Sequence, residues 1–329
     1  MKSKADKSQF SKFLSDNGIW VVLVVLIIAI TLVNRNFLTP QNAVALLTGE
    51  SVKGVLTFGV MMAILSKGID LSTGSVAALS AIVSAALCQQ ATATKLWAGL
   101  GTMPAIVGIL AGIAIGCIVG FANGWMVAYL HLHPFIATLG TQLICRAICK
   151  LLTPGPVSKL TPGFRFLGNG RIGPLHMIVL VMIILFCISA FILRETRFGK
   201  SVYAVGGNDQ AARVAGINVE SVLIRVYMWC SVCAALGGIL LAGRSDSADP
   251  ANTGLNYELD AIAAATVGGT SQTGGICRIS GVAAGILIMG VINNGMVMMG
   301  VNDQMTFIVK GLIIIGAVAF DMRKNRVKA

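Results

Sequence analysis

Residues 104–128 read PAIVGILAGIAIGCIVGFANGWMVA, a run of 25 residues with no charged side chain. About 20 largely apolar residues suffice for a helix to cross the hydrocarbon core of a bilayer. The stretch therefore predicts a transmembrane helix and gives the chain lipid as its solvent. Within it Gly108, Gly112, Gly116, Gly120 and Gly124 recur every fourth residue. Positions four apart stay near one face of an α-helix, so this helix carries a strip without side chains. In lipid such a strip lets a second backbone come close, which makes the five glycines candidate helix-packing residues.

The remainder of the chain has the same character. Of 329 residues, 56% are hydrophobic and 12% charged, where a soluble domain carries about 25% charged residues. Further spans are predicted at 18–34, 174–193, 220–242, 279–299 and 305–320. Apolar stretches interrupted by Gly, Ser and Thr lie at 43–66, 72–90, 135–153 and 258–269. The expected fold is an all-α integral membrane protein of about ten transmembrane helices, one domain over 1–329. The segment 258–269 is too short to cross alone and is expected to be broken or re-entrant, which lipid tolerates only where protein covers the backbone. Segments 43–153 and 219–320 each hold four spans, and each has a polar break, GIDLSTGS at 68–75 and GGTSQTGG at 268–275. One unit would start outside and the other inside, so the sequence predicts an inverted pseudo-repeat of the kind found in transporters.

The net charge of +12 is carried by the flanks of these spans. Lys2, Lys4, Lys7 and Lys12 precede the first; Arg323, Lys324, Arg326 and Lys328 follow the last; Arg194, Arg197, Lys200 and Arg213 sit in the central loop. Cytoplasmic loops collect Lys and Arg, so both termini and the loop 194–217 are expected in the cytoplasm, with 154–173 and 243–257 outside. No basic stripe alternates with aromatics, so nucleic acid is not an expected partner. The first apolar run lacks a small-residue cleavage site after it and reads as a retained helix. The eight cysteines, including Cys145, Cys149, Cys230 and Cys233, lie mostly in apolar runs and read as small packing residues.

Candidate functional residues fall in three stretches. In the first, Asp70, Ser72, Thr73 and Ser75 offer oxygens to the start of a helix, as a cytoplasmic cap or as part of a gate. In the second, Asn208 or Asp209 can cap a short helix through Gln210 to Val214 that Gly216 ends. Its small outward face, Ala211 and Ala212 beside Arg213, suits a knob for a partner protein. Gly199-Lys200-Ser201 ends like a phosphate-binding loop, but Arg194 stands where the first glycine is required, so no nucleotide site is expected. In the third, Glu258 and Asp260 lie two apart on a short helix and point to different faces, which makes an acid/base pair improbable. Lys310, Arg146 and Lys150 read as side chains snorkelling to the interface. His131, His133 and His176 sit at span ends and need no function. No catalytic motif and no metal-ligand set is present, so neither enzyme chemistry nor a metal is expected.

The segments GIDLSTGSV (68–76), HPFIATLGT (133–141), TRFGKSVYAVGGNDQAARVAGINV (196–219), YELDAIAAATVGGTSQTGG (257–275) and INNGM (292–296) resemble the membrane permease subunits of bacterial ATP-binding-cassette sugar importers. The resemblance is to the ribose, galactose and allose type within the branched-chain amino acid/ribose permease family, and it covers nearly the whole chain. It implies a permease of the inner membrane that imports a monosaccharide. Its partners would be a second permease copy (identical or a paralogue), two cytoplasmic ATPase subunits and a periplasmic or lipid-anchored sugar-binding protein. ATP and magnesium would then belong to the partner, and no cofactor to this chain. Carried onto this sequence, the ATPase-coupling residues are Gly206, Gly207, Asn208, Ala211, Ala212, Arg213 and Gly216. Asp70, Ser72, Asn123, Phe135, Thr138, Asn293 and Asn294 are candidates for the path or gate. Cys277-Arg278 departs from the small residue expected near that turn.

A secondary solute transporter is the competing reading. It would place ionisable residues at the bilayer midplane for ion coupling, whereas the acids here read as lying almost entirely at span ends. A membrane-embedded enzyme would need a nucleophile with a base or a metal set.

Overall fold

A computed structural model describes residues 2–97 and 99–326, with side chains described for 18–97, 99–302, 304–319 and 321–323. The side chains of Lys2, Lys4, Lys7, Lys12, Lys324 and Arg326, and Lys328 altogether, lie outside that description. The chain folds into helices α1 (Lys2–Val33), α2 (Pro40–Leu65), α3 (Thr73–Leu87), α4 (Ala105–Tyr129), α5 (Pro134–Leu152), α6 (Pro162–Asn169), α7 (Met177–Glu195), α8 (Arg197–Gly207), α9 (Asp209–Val214), α10 (Val219–Ser245), α11 (Tyr257–Val267), α12 (Ile279–Met298) and α13 (Asp303–Arg326). Among the described residues seven helices are long and apolar enough to cross a membrane: α2, α4, α5, α7, α10, α12 and α13 from Gln304. The stretch 18–33 of α1 and all of α3 are shorter apolar helices. Each of the ten segments read from the sequence corresponds to a helix.

Local chemistry sets the boundaries. Thr39 caps α2, its side chain accepting from the Asn42 N–H, with Pro40 in the first turn, where proline loses no hydrogen bond. Asn218 caps α10 by accepting from the Ser221 N–H at 2.8 Å. That helix ends at Asp246 in the left-handed conformation, φ +53°.

Helices α2 and α10 form the centre, packed on one another. Helix α2 also packs on α11 and α12, and α10 on α3 and α4; α5 lies against α3, and α13 against α11. The depth of the short helices follows from these contacts. At 1.5 Å per residue, the 26 residues of α2 span about 39 Å, and Lys53 lies near their middle. Asp260, in the first turn of α11, sits 3.2 Å from Lys53. Helix α11 therefore begins near mid-depth, and its 11 residues reach only about 16 Å. Helix α3 begins beside it: a Cβ added at Gly74 would lie 2.5 Å from the Gly254 carbonyl and overlap the Glu258 carboxylate. The two short helices thus start back to back in the interior. The expectation of a broken segment at 258–269 holds in this form. The expectation that Asp70 to Ser75 cap a helix at the cytoplasmic surface does not, because α3 starts inside the protein.

The two ends of the bundle are distinct. At one end the Gly275 N–H donates to the Leu65 carbonyl at 2.9 Å, Lys67 donates to the Gly207 carbonyl and Tyr203 to the Cys277 carbonyl. Burial pushes the Tyr203 phenol up to about 12 and the Cys277 thiol up to about 11, so both groups stay neutral there. At the other end Val157–Ser158 pairs antiparallel with Ser247–Ala248, joining the two loops expected on the same side. The Leu160 N–H donates to Asp246 there, at 2.9 Å.

Candidate functional site

Three groups of residues carry the polar chemistry. The first surrounds the start of α3. Asp70 is fully buried, and its Oδ1 accepts from the Ser72 N–H at 2.9 Å and the Ser72 hydroxyl at 2.6 Å. Asn123 on α4 donates to the Ser72 hydroxyl at 2.9 Å and accepts from Thr141 on α5 at 2.6 Å. Thr138 accepts from the Leu71 N–H, and its hydroxyl proton is shared between the Pro134 carbonyl at 2.8 Å and the Ile69 carbonyl at 3.1 Å. Four of the candidate path residues, Asp70, Ser72, Asn123 and Thr138, therefore meet in one buried chain that ties the 66–72 loop to α4 and α5. Ser72 makes no side-chain cap bond to α3, contrary to the capping expectation. The other three lie elsewhere. Phe135 is exposed on α5; Asn294 exchanges amide hydrogen bonds with Asn42 on α2; Asn293 belongs to the second group.

That second group is ionic. Lys53 bridges Glu50 at 3.1 Å and Asp260 at 3.2 Å, Lys310 pairs with Asp260 at 3.0 Å, and Asn293 donates to Glu50 at 3.0 Å. Four helices, α2, α11, α12 and α13, contribute to it, and Glu50 and Asp260 are buried. Two sequence expectations are corrected here. Lys310 does not snorkel outward but turns inward to a carboxylate, and acids do lie at mid-depth. Arg146 is also drawn inward, donating to the Thr253 carbonyl at 2.9 Å. An isolated charge in a lipid-depth interior is costly, and each of these finds a partner within the chain.

The third group is the loop of α8 and α9. Asn208, rather than Asp209, caps α9, accepting from the Ala211 N–H at 3.0 Å. Gly216 follows the helix at φ +81°, a conformation that favours glycine. Of the outward face read in the sequence, Ala211 and Arg213 are exposed and Ala212 is not. Ala212 is only 3% exposed and packs in the core, whereas Val214 is 92% exposed. Gly206 is buried, and a Cβ there would overlap the Leu65 carbonyl, so it seats α8 on α2. Arg213 pairs with Glu220 of the same chain. The exposed surface is thus Gly207, Asn208, Asp209, Gln210, Ala211 and Arg213 to Gly216. Val214 was the residue missed; one large apolar side chain at a helix end beside a polar loop was the available signal.

The glycine strip of α4 faces α10 and α3. A Cβ at Gly116 would stand 2.7 Å from the Ser231 carbonyl, one at Gly120 2.7 Å from Met228 Cα, and one at Gly124 2.6 Å from Ile224 Cα. Towards the other end, Gly108 and Gly112 abut Cys88 and Ser84 of the α3 region. The cysteines are free thiols, and among the described residues no three His, Cys, Asp or Glu are placed to hold a metal ion.

Comparison with known proteins gives one family. Residues 42–318 match the model of the family described as branched-chain amino acid transport system / permease component. The galactose/methyl galactoside import permease protein MglC of Escherichia coli strain K12 is 40% identical over 331 residues, covering 98% of each chain. The ribose import permease protein RbsC of Bacillus subtilis strain 168 is 34% identical over 328 residues, covering 99% of this chain and 98% of the relative. RbsC of Escherichia coli strain K12 is 37% identical over 312 residues, 93% of each. No solved structure matches the chain.

Proposed function

We propose, because this chain belongs to the branched-chain amino acid transport system permease family, that it is the membrane permease subunit of an ATP-driven importer of a galactose- or ribose-like monosaccharide. The observation that carries this reading is the match, over nearly the full length of both chains, to permeases named for galactose and ribose import. Hydrolysis of ATP is assigned to separate subunits, two per complex, and delivery of the sugar to a binding protein outside. The translocation path forms with a second permease copy. The end of the bundle bearing α8 and α9 faces the cytoplasm, in keeping with Arg194, Arg197, Lys200 and Arg213 there. Both termini lie on that side of the bacterial inner membrane. The halves 43–153 and 219–320 are taken as an inverted repeat, in keeping with corresponding partners: α2 packs on α11 and α12 as α10 packs on α3 and α4.

In this reading α9 is the docking element for the ATPase. It is held rigidly from behind by buried Ala212 and by the Arg213–Glu220 pair, and it presents Val214. Seating a valine in a partner's cleft contributes about 1.5–3 kcal/mol, and each 1.4 kcal/mol is about tenfold in affinity. Val214→Asp is therefore expected to weaken the ATPase complex by about tenfold or more while leaving the permease folded. Ala212→Trp, by contrast, should disturb α9 itself. The measurement is co-purification of the ATPase with wild type and Val214→Asp, beside size-exclusion profiles of the permease. Equal ATPase recovery in both would remove α9 as the docking site.

A secondary transporter remains the second reading, favoured by one observation, the mid-depth cluster of Glu50, Lys53, Asp260 and Lys310. Its two acids and two bases are already paired within the chain, which supports a structural role over cation coupling.

A further inference from the structure

We propose that Glu258, with Gln142 and Arg146, forms a hydroxyl-binding site for a neutral polyhydroxylated solute where the starts of α3 and α11 meet. The inference rests on the sugar-importer reading and adds to it the residues that contact the sugar. Glu258 and Asp260, two apart in the first turn of α11, face opposite ways. Asp260 is saturated by two lysines, whereas Glu258 turns towards α3 and α5. Glu258 is only 4% exposed. Its Oε1 accepts from the Gln142 side-chain amide at 3.0 Å, and its Oε2, buried and without a hydrogen-bond partner, is directed at Gly74 in the first turn of α3.

A buried carboxylate oxygen left without a donor is costly, and here it stands at the back-to-back start of two helices at mid-depth. Helix N-termini favour negative charge, and in transporters broken helices aim them at anionic substrates. In this chain the anion at that point is the protein's own carboxylate. The ligand chemistry left over is complementary to a sugar. Oε2 can accept from a hydroxyl. Gln142 keeps a second amide N–H, and Arg146, whose Nη1 reaches the Pro250, Ala251 and Thr253 carbonyls, keeps the donors of Nη2 and Nε. Gln142 and Arg146 are one turn apart and half-buried, next to the exposed apolar face of α5 that includes Leu139 and Leu143. An anionic solute would meet Glu258 as a like charge, whereas a neutral polyol presents both donors and acceptors to the set. Gly74 lets the carboxylate lie against the α3 backbone, so α3 must part from α11 for a solute to reach Oε2.

The test is a cycle between protein group and sugar hydroxyl. Uptake of galactose, ribose and each monodeoxygalactose is measured in vesicles holding the permease and its ATPase, with ATP inside and the binding protein outside. Wild type is compared with Glu258→Gln and Gln142→Ala. Because the binding protein is identical throughout, its own selectivity cancels in the ratio of wild type to variant. The expected result is a loss of about tenfold for galactose and almost none for the one deoxy sugar that lacks the hydroxyl Glu258 receives. A variant that loses the same factor for galactose and for every deoxy analogue, or loses nothing, would overturn the site. If Glu258→Gln fails to reach the membrane, Gln142→Ala, on the half-buried side, decides the matter by the same comparison. Wild-type vesicles that import neither galactose nor ribose would overturn the sugar reading itself, and the site with it.

Discussion

Asp260→Asn should deplete folded permease from the membrane. The residue holds both Lys53 and Lys310, at 3.2 and 3.0 Å, in an interior at mid-depth. Neutralising it leaves Lys53 with Glu50 alone and Lys310 with no carboxylate. Removing one side of a buried pair costs about 3–5 kcal/mol, because the remaining charge stays desolvated. That is a large share of the about 5–15 kcal/mol by which folded proteins are stable. Helix α13 should suffer most, since Lys310 fixes it to α11. The check is the monodisperse yield and melting midpoint of the detergent-extracted protein. A second change gives the assignment its sign: Asp260→Asn with Lys310→Met removes the stranded charge and should recover much of the loss. Wild-type yield in the single variant, or no recovery in the double, would mean that the cluster does not hold these helices together.

Gly116→Leu is expected to be nearly as damaging, for a steric reason. A Cβ at that position would stand 2.7 Å from the Ser231 carbonyl and 2.8 Å from Ala235 Cβ, so backbone rather than a movable side chain is in the way. The rest of a leucine can be placed only by prising α4 from α10, and overpacking of this kind costs about 1–3 kcal/mol or more. Gly140→Leu is the control, since nothing lies within 4 Å of that position. Low yield for Gly116→Leu with normal yield for Gly140→Leu is the predicted pattern; equal yields would place the strip against open space.

The same residues show how far the sequence could be read. The face of the glycine strip was legible, because a spacing of four repeats along one side of a helix whatever the helix packs against. Its neighbour was not, since Ser231 and Met228 lie more than 100 positions away in the chain. Opposed directions for Glu258 and Asp260 followed from helical geometry, but not their partners on α5 and α13, which are 116 and 50 residues distant. Glu50 and Lys53 were passed over although the signal was present: an acid and a base three apart inside an apolar run form a neighbouring pair on a helix. Intramembrane ionisable residues of this kind mark a functional or structural site by default. A cap at Asn208 or Asp209 was legible, because the capping chemistry is local, and the structure selects Asn208. Which side of α9 faces outward was not, because a six-residue helix has too few apolar positions to declare the side that packs. Val214 is exposed and Ala212 is buried.

The central claim, that this permease moves sugar on the energy of ATP hydrolysed by a partner, is tested most directly in sealed vesicles. Permease, ATPase and binding protein are reconstituted, labelled galactose or ribose is supplied outside, and the interior holds ATP or a non-hydrolysable analogue. The account predicts accumulation with ATP, none with the analogue, and none when the ATPase is omitted, whatever ion gradient is imposed. Accumulation driven by a proton or sodium gradient in vesicles without the ATPase would contradict it and make the chain a secondary transporter.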